Sequence, residues 1–278
     1  MGDALRPTAA AALEAWAARV RANREQVERH REAEAARDFY APVASLFRAD
    51  PRRGDDPVLE LLRDLIQPHE TLLDIGAGGG RFALPLALAA REVIAVDPSP
   101  GMLAILREGM AEHGIGNIQL VQGRWPEAAA DLRADVALIA HVGYDIEAIG
   151  PFLEAMERAA TRACVAVLLE GPPPSAADRL WPEIHGVQRA SLPALPEFLS
   201  LLLARDRLFE VRLIERTPMT YSDPDQALAW CRQQLWTAPG SPKDQRLQHL
   251  VQQQLQRVES GCLTLQGQPR RVGIVTWR

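Results

Sequence analysis

The sequence predicts an α/β protein. Its doubly wound, seven-stranded, mostly parallel sheet has an antiparallel last strand and is preceded by an N-terminal helical extension. Three observations predict it. Five short apolar runs alternate with helical stretches between residues 71 and 169. Two further runs in the tail alternate residue by residue and are separated by a helical insertion. Residues 9–38 are rich in Ala, Arg and Glu and contain no Gly or Pro.

The elements follow in order. Leu13, Trp16, Val20 and Val27 recur at helical spacing, so residues 9–38 read as a long amphipathic helix. The Pro and Gly cluster from Pro51 to Pro57 interrupts it, and residues 58–67 read as a second helix. These first 57 residues form an extension, a lid or a dimer arm, and residues 58–278 form the main domain. Strands are predicted at 71–75, 92–96, 118–121, 136–140 and 164–169. Helices at 82–90, 102–113 and 146–160, and a turn at 127–131, lie between them. Strands apolar on both faces that alternate with helices mark a parallel sheet covered on both sides. Phe209, Val211 and Leu213 alternate, as do Val272, Ile274 and Thr276, with a helical insertion at 218–266 and no crossover helix before the first of the pair. Asp223-Pro224 and Ser241-Pro242 each combine an N-cap with a first-turn proline, and the second helix carries Leu247, Val251, Leu255 and Val258 to near Gly261.

The 278 residues are 47% hydrophobic and 24% charged, enough to bury a real core. Thirty-one basic against 36 acidic residues give a formal charge of -5, which disfavours a general grip on nucleic acid or an anionic membrane. No apolar run reaches the ~18 residues of a membrane span, and no leader-like segment stands at the N-terminus, so the expected location is cytoplasmic. Cys164, Cys231 and Cys262 are odd in number and far apart, which argues against a disulfide framework or a zinc site; no metal is expected.

The most informative stretch is Asp74-Ile75-Gly76-Ala77-Gly78-Gly79-Gly80-Arg81. An apolar strand runs into four glycines within five residues and then into a helix. Glycine allows positive φ and close approach of a ligand to the backbone, and the N–H groups of the next helix can receive a carboxylate or phosphate. A dinucleotide fingerprint would need a small residue where Arg81 stands, and a phosphate loop would need a Gly-Lys pair that is absent. A second acid, Asp97, closes the next strand, Val93–Val96, 23 residues after Asp74. A carboxylate at that tip can accept both hydroxyls of a ribose.

The pattern D-x-G-x-G-x-G, the strand-end Asp97 and the continuation Pro98-Ser99-Pro100-Gly101-Met102 resemble the class I S-adenosylmethionine-dependent methyltransferases. The order of five crossover strands followed by an antiparallel sixth and seventh is similar to that family too. The resemblance spans about residues 58–278, with its specific motifs in 72–103. It implies S-adenosyl-L-methionine as cofactor and S-adenosyl-L-homocysteine as product. The Gly76, Ala77, Gly78 and Gly80 loop would hold the methionine end with help from Asp74, Asp97 would hold the ribose, and Pro98 or Met102 would flank the adenine. The chain departs from the family after the third strand, where Gln122-Gly123-Arg124-Trp125-Pro126-Glu127 replaces the usual adenine-binding acid; Arg124 and Trp125 are the cofactor candidates there.

The turn after the fourth strand, His141-Val142-Gly143-Tyr144-Asp145, lies at a carboxyl edge where ligands bind. It lacks the Asn/Asp-Pro-Pro-aromatic sequence found where relatives methylate amide or adenine nitrogens. His141 is the first candidate base, and also a cofactor contact, with Tyr144 and His185 second. The expected activity is in-line methyl transfer to an O, N or C atom of a small-molecule acceptor. Methylation of RNA or protein, nicotinamide-dependent oxidoreduction, and a scaffold that has lost catalysis are the rival readings.

Overall fold

The strands β1 (Thr71–Ile75), β2 (Glu92–Asp97), β3 (Ile118–Gln122), β4 (Ala134–Ala140), β5 (Ala160–Leu169) and β6 (Phe209–Glu215) run parallel in one sheet. Past β6 come the short pair β7 (Leu255–Arg257) and β8 (Leu263–Leu265), then β9 (Arg271–Trp277), which inserts antiparallel between β5 and β6. The order in the seven-stranded sheet is β3-β2-β1-β4-β5-β9-β6. The computed structural model describes residues 7–34, 38–54, 56–128, 131–173, 175–267 and 271–278. Residues 35–37 of the expected first helix and 129–130 of the expected turn at 127–131 lie outside them.

Every residue of β1 is buried, because helices cover both faces of the sheet's centre. The helices are α1 (Ala9–His30), α2 (Pro57–Leu65), α3 (Ala83–Ala87), α4 (Pro100–His113), α5 (Ile149–Ala159), α6 (Ser175–Asp178), α7 (Trp181–His185), α8 (Leu195–Ala204), α9 (Pro224–Leu235) and α10 (Pro242–Gln254), with a 3-10 helix at Ala41–Phe47. Their starts are chemically marked. Asp56 caps α2, accepting from the Val58 and Leu59 N–H groups, and Ser99 caps α4, accepting from Met102 N–H at 3.0 Å. Gly114, with φ 65°, ends α4 in the left-handed conformation.

Three expectations are corrected. The first helix stops at His30, where the extended Arg31 leaves the helix. A crossover helix does precede β6: α8, Leu-Pro-Glu-Phe-Leu-Ser-Leu-Leu-Leu-Ala, is apolar on nearly every side and so carries little periodic signal. That crossover makes β6 parallel to β1–β5 and leaves β9 as the antiparallel strand. Finally, α10 ends at Gln254, because Leu255 pairs with Leu265 and Arg257 with Leu263 in a hairpin.

Two cores result. The larger lies about the sheet, and α1 belongs to it: Trp16 is 3% exposed, donates its indole N–H to the Ile146 carbonyl at 3.0 Å and meets Phe198 edge-on. The apolar stripe of α1 is thus covered by α5 and α8 of the same chain. The smaller core joins the insertion to α6 and α7 through Trp181, Tyr221, Cys231, Leu235 and Leu247. Cys164 and Cys231 are buried, and burial pushes both thiols up to about 12. No helix among the described residues is long and apolar enough to cross a membrane, and none of their His, Cys, Asp and Glu side chains group to hold a metal.

Candidate active site

At the end of β1 the chain turns at once through Gly76–Gly80. Gly76 and Gly80 have φ 77° and 88°, and both are enclosed. A Cβ on Gly76 would lie 2.4 Å from Val142 Cγ2, and one on Gly80 would lie 2.5 Å from Leu106 Cδ1. Side chains are excluded here twice, by conformation and by space. The N–H groups of Gly76 and Ala77 both donate to the Val96 carbonyl, at 2.7 and 3.1 Å, which ties the loop to the end of β2.

Two acids converge on this loop. Asp97 is buried; one carboxylate oxygen accepts the Gly78 N–H and the other the Ser99 N–H, each at 2.8 Å. Asp74 is 2% exposed and accepts no hydrogen bond from any described residue. Burial, and then the charge of Asp97, push the Asp74 carboxyl up to about 7. Burial also raises Asp97, against its two backbone hydrogen bonds. Neither acid has a basic partner among the described residues. Such a pair is electrostatically incomplete and favours a ligand carrying positive charge.

The turn after β4 forms the next wall. His141 has φ 61° and donates its backbone N–H to the Val167 carbonyl at 2.9 Å. Tyr144 is buried, its hydroxyl oxygen accepts the Leu169 N–H at 2.7 Å, and it lies 3.4 Å from His141 Nδ1. Where that hydroxyl donates to Nδ1, the ring hydrogen of His141 stands on Nε2. Burial, followed by the charges of Arg216 and Arg81, pushes the His141 imidazole down to about 3. Burial also raises the Tyr144 hydroxyl above its ordinary value.

Residues 72–163 match the methyltransferase domain family. That stretch, about a third of the chain, is similar to methyltransferase domains and contains the glycine loop and Asp97. Among curated proteins it is 38% identical over 73 residues to the ribosomal RNA small subunit methyltransferase G of Neisseria gonorrhoeae, which is 26% of this chain and 35% of that one. It is 39% identical over 71 residues to the 23S rRNA (uracil(1939)-C(5))-methyltransferase RlmD of Shewanella, 26% of this chain and 14% of the other. The chain thus spans about a third or less of the length of these relatives. Its fold is similar to that of the YcgJ protein of Bacillus subtilis, with a TM-score of 0.50 at 17% identity over 79% of this chain and 94% of the other. A Bacillus halodurans C-125 protein gives 0.51 at 17% identity over 79% and 96%.

The cofactor of a class I methyltransferase carries a sulfonium and an ammonium group, and the unpartnered, buried Asp74 carboxyl is chemically matched to positive charge. The enclosed loop fits that cofactor's close approach to backbone. Met102 is buried, with its sulfur 4.0 Å from where a Cβ on Gly78 would stand, whereas Pro98 and the Arg124 side chain are exposed. Trp125 is half-buried and donates its indole N–H to the Phe152 carbonyl at 3.2 Å, which anchors the ring on α5.

Residues 38–47 lie as a roof against the glycine loop and the start of α4. Asp38 accepts the Ser99 hydroxyl proton at 2.8 Å and the Gly101 N–H at 2.9 Å, at the start of α4. A Cβ on Gly79 would lie 3.1 Å from both the Cβ and the carbonyl oxygen of Phe47. Tyr40 keeps 42% of its surface exposed, yet its hydroxyl is pushed up to about 12 by burial and then by Asp145 and Asp97, which places that end over the acids. The insertion clamps the roof from outside. Phe39 lies 5.2 Å from Trp236 and Phe47 6.2 Å from Trp230, between ring centroids, and Gln233 donates its amide N–H to the Phe39 carbonyl.

His185 is elsewhere. It sits on α7 with its ring 4.0 Å from that of Trp181, its Nε2 donating to the Leu235 carbonyl at 2.9 Å and its Nδ1 accepting from Lys243 at 3.2 Å. Both ring nitrogens are occupied in the smaller core, and burial pushes the imidazole down to about 4. Of the three residues expected as bases, His141 and Tyr144 lie together at the carboxyl edge, and His185 lies apart from them against Trp181. Sequence reasoning missed Asp38 and Arg216. The available signal for Arg216 was its place directly after β6, on the same carboxyl edge as His141.

Proposed function

We propose that the protein transfers the methyl group of S-adenosylmethionine to a nucleophilic O, N or C atom of a small-molecule acceptor. The observation that carries this reading is the convergence of two buried carboxyls, Asp74 and Asp97, on an enclosed glycine loop beneath a roof supplied by the same chain. When bound, the cofactor supplies a methyl on an already activated sulfonium leaving group. Asp74 faces the cationic end of that cofactor, and Asp97 turns its remaining lone pairs to the ribose hydroxyls. Met102 and the roof exclude water around them.

The protein's own contribution is alignment, which reaches ~7–11 kcal/mol in well-oriented reactions. A general base adds ~10²–10⁴ in rate and matters only where the nucleophile must lose a proton in the transition state. His141 acts as a positioning donor through Nε2–H, its ring held by Tyr144, and the acceptor atom arrives already able to attack. The roof favours a small acceptor, since a folded RNA would have to displace Asp38–Phe47. Relatives named as ribosomal RNA methyltransferases favour RNA as the second reading, by likeness across about a quarter of the chain alone.

The test is calorimetric titration with S-adenosylmethionine, S-adenosylhomocysteine and, as control, NAD. Micromolar binding of the first two and none of NAD is expected. NAD binding alone, or no binding of any of the three, would overturn the reading. Methyl transfer to ribosomal RNA and not to small molecules would replace the small-acceptor reading with the second.

A further inference from the structure

Away from Asp74 and Asp97, the carboxyl edge carries more arginine than paired acid. Arg81 donates to Asp56 at 3.1 Å, but the same carboxylate oxygen already accepts from Arg53 at 3.2 Å. Arg216 follows β6 directly, on the carboxyl edge shared with His141, and α2 brings Asp56 to that edge. Among the described residues its guanidinium has no acid partner, and it donates a long bond, 3.4 Å, to the Thr217 carbonyl. Burial and then the charge of Arg81 hold Arg216 below its ordinary pKa, with Asp56, Tyr144 and Tyr221 also in its field. Two polar groups there are fully buried without partners, the Tyr221 hydroxyl and Arg81 Nε; Tyr221 is 1% exposed.

A desolvated cation beside a like charge is costly and persists where something compensates it. Guanidinium groups suit planar oxyanions because they present paired N–H donors. We propose that Arg216 and Arg81, with the Tyr221 hydroxyl, recognise an oxyanion carried by the acceptor, a carboxylate or phosphate of a small molecule. The inference rests on the methyl-transfer reading and names the substrate class of that same site. The oxyanion fills the missing countercharge and pins the acceptor next to His141, so that one end is fixed while the other meets the methyl. No acid among the described residues pairs with Arg216, which leaves the position open to the ligand.

The test uses the full chain as wild type, Arg216→Gln and Tyr221→Phe, in thermal unfolding with and without saturating S-adenosylhomocysteine. The probes are sodium benzoate and inorganic phosphate, with neutral benzamide as the isosteric control. Ligand-free Arg216→Gln is expected to melt above wild type, because a half-buried charge without an acid partner among the described residues has been removed. Benzoate, phosphate or both should raise the wild-type Tm by several degrees, benzamide should not, and the rise should vanish in Arg216→Gln. Tyr221→Phe removes a hydroxyl without a partner, so it should fold normally and weaken the anion response.

A lower Tm for Arg216→Gln would show that the guanidinium is structurally compensated and would overturn the proposal. An anion response kept in that variant, or equalled by benzamide, would do the same. A tenfold loss of S-adenosylhomocysteine affinity in Arg216→Gln would hand the pair to the cofactor's own carboxylate and likewise overturn the assignment. Failure of wild type to bind S-adenosylhomocysteine would sink the methyl-transfer reading, while the ligand-free melting and anion arms would still decide the oxyanion site.

Discussion

Replacing Asp74 by Asn should separate stability from binding in opposite directions. The carboxyl is fully buried, accepts no hydrogen bond from the described residues, and is raised to about 7 by burial and by Asp97. Its pKa in the unfolded chain is the ordinary 3.8. Between those values the folded state binds a proton that the unfolded state does not, so the Asp74 contribution to stability falls as pH rises from about 4 to about 7. From pH 5 to 7, with the group half-titrated at the upper end, that is about 1.7 units at about 1.4 kcal/mol each, or about 2 kcal/mol. Asn cannot ionise, so the stability of Asp74→Asn relative to wild type should climb by about this amount over the interval. The absolute curve carries every other titrating group, but the difference isolates this one. Urea unfolding of both proteins at pH 5, 6, 7 and 8 measures it. Cofactor affinity should move the other way, weaker in Asp74→Asn at every pH, because the ionised carboxylate is what meets the cationic end. Parallel stability profiles would refute the placement of an unpartnered acid at this site, and unchanged affinity would refute its role in binding.

Three further outcomes are expected. Asp97→Ala removes the acceptor for ribose hydroxyls and two backbone anchors of the loop; charge-assisted bonds of ~1.5–3 kcal/mol each predict at least a tenfold rise in the S-adenosylmethionine Kd by calorimetry, and an unchanged Kd would sink the ribose assignment. Because the His141 imidazole is held near 3, its ring signals in a proton NMR titration should show no transition near pH 6.5 in the ligand-free protein. Trp16→Ala should cost ~3–5 kcal/mol in chemical denaturation, since the ring is 3% exposed in the main core and its N–H bond to Ile146 is lost; a cost under ~1 kcal/mol would mean that α1 is not docked as described.

Where the sequence was legible, local chemistry and long-range packing agreed. The central strands read clearly because they are apolar on both faces and bounded by glycine or charged turns, and Asp74, Gly76, Gly80 and Asp97 read clearly because their spacing admits few alternatives. What escaped depends on contacts between distant segments. Helix α8 hid in an apolar run without polar relief, and the β7–β8 hairpin hid because Leu247, Val251, Leu255 and Val258 obey helical spacing although Leu255 faces Leu265 across a turn. Asp38 looks like any exposed acid at a helix's end until the fold brings it to Ser99, 61 positions later. His141 could be named from its strand end, but its depressed pKa comes from burial first and then from Arg216, supplied by the far side of the sheet.

The aromatic row Trp236, Phe39, Tyr40, Phe47 and Trp230 has a consequence for timing. Since the roof is gripped on one side by the start of α4 and on the other by the insertion, the cofactor enters only from states in which that grip is released. If such states are a fraction f of the population, the apparent Kd is the intrinsic one divided by f, and a roof that is open one part in a hundred raises it a hundredfold. The same grip, re-formed over the bound cofactor, slows its escape. On the proposed reading, two distant stretches of the chain would act together as a latch on the pace of turnover, and the two tryptophans at its ends would give it an intrinsic fluorescent signal.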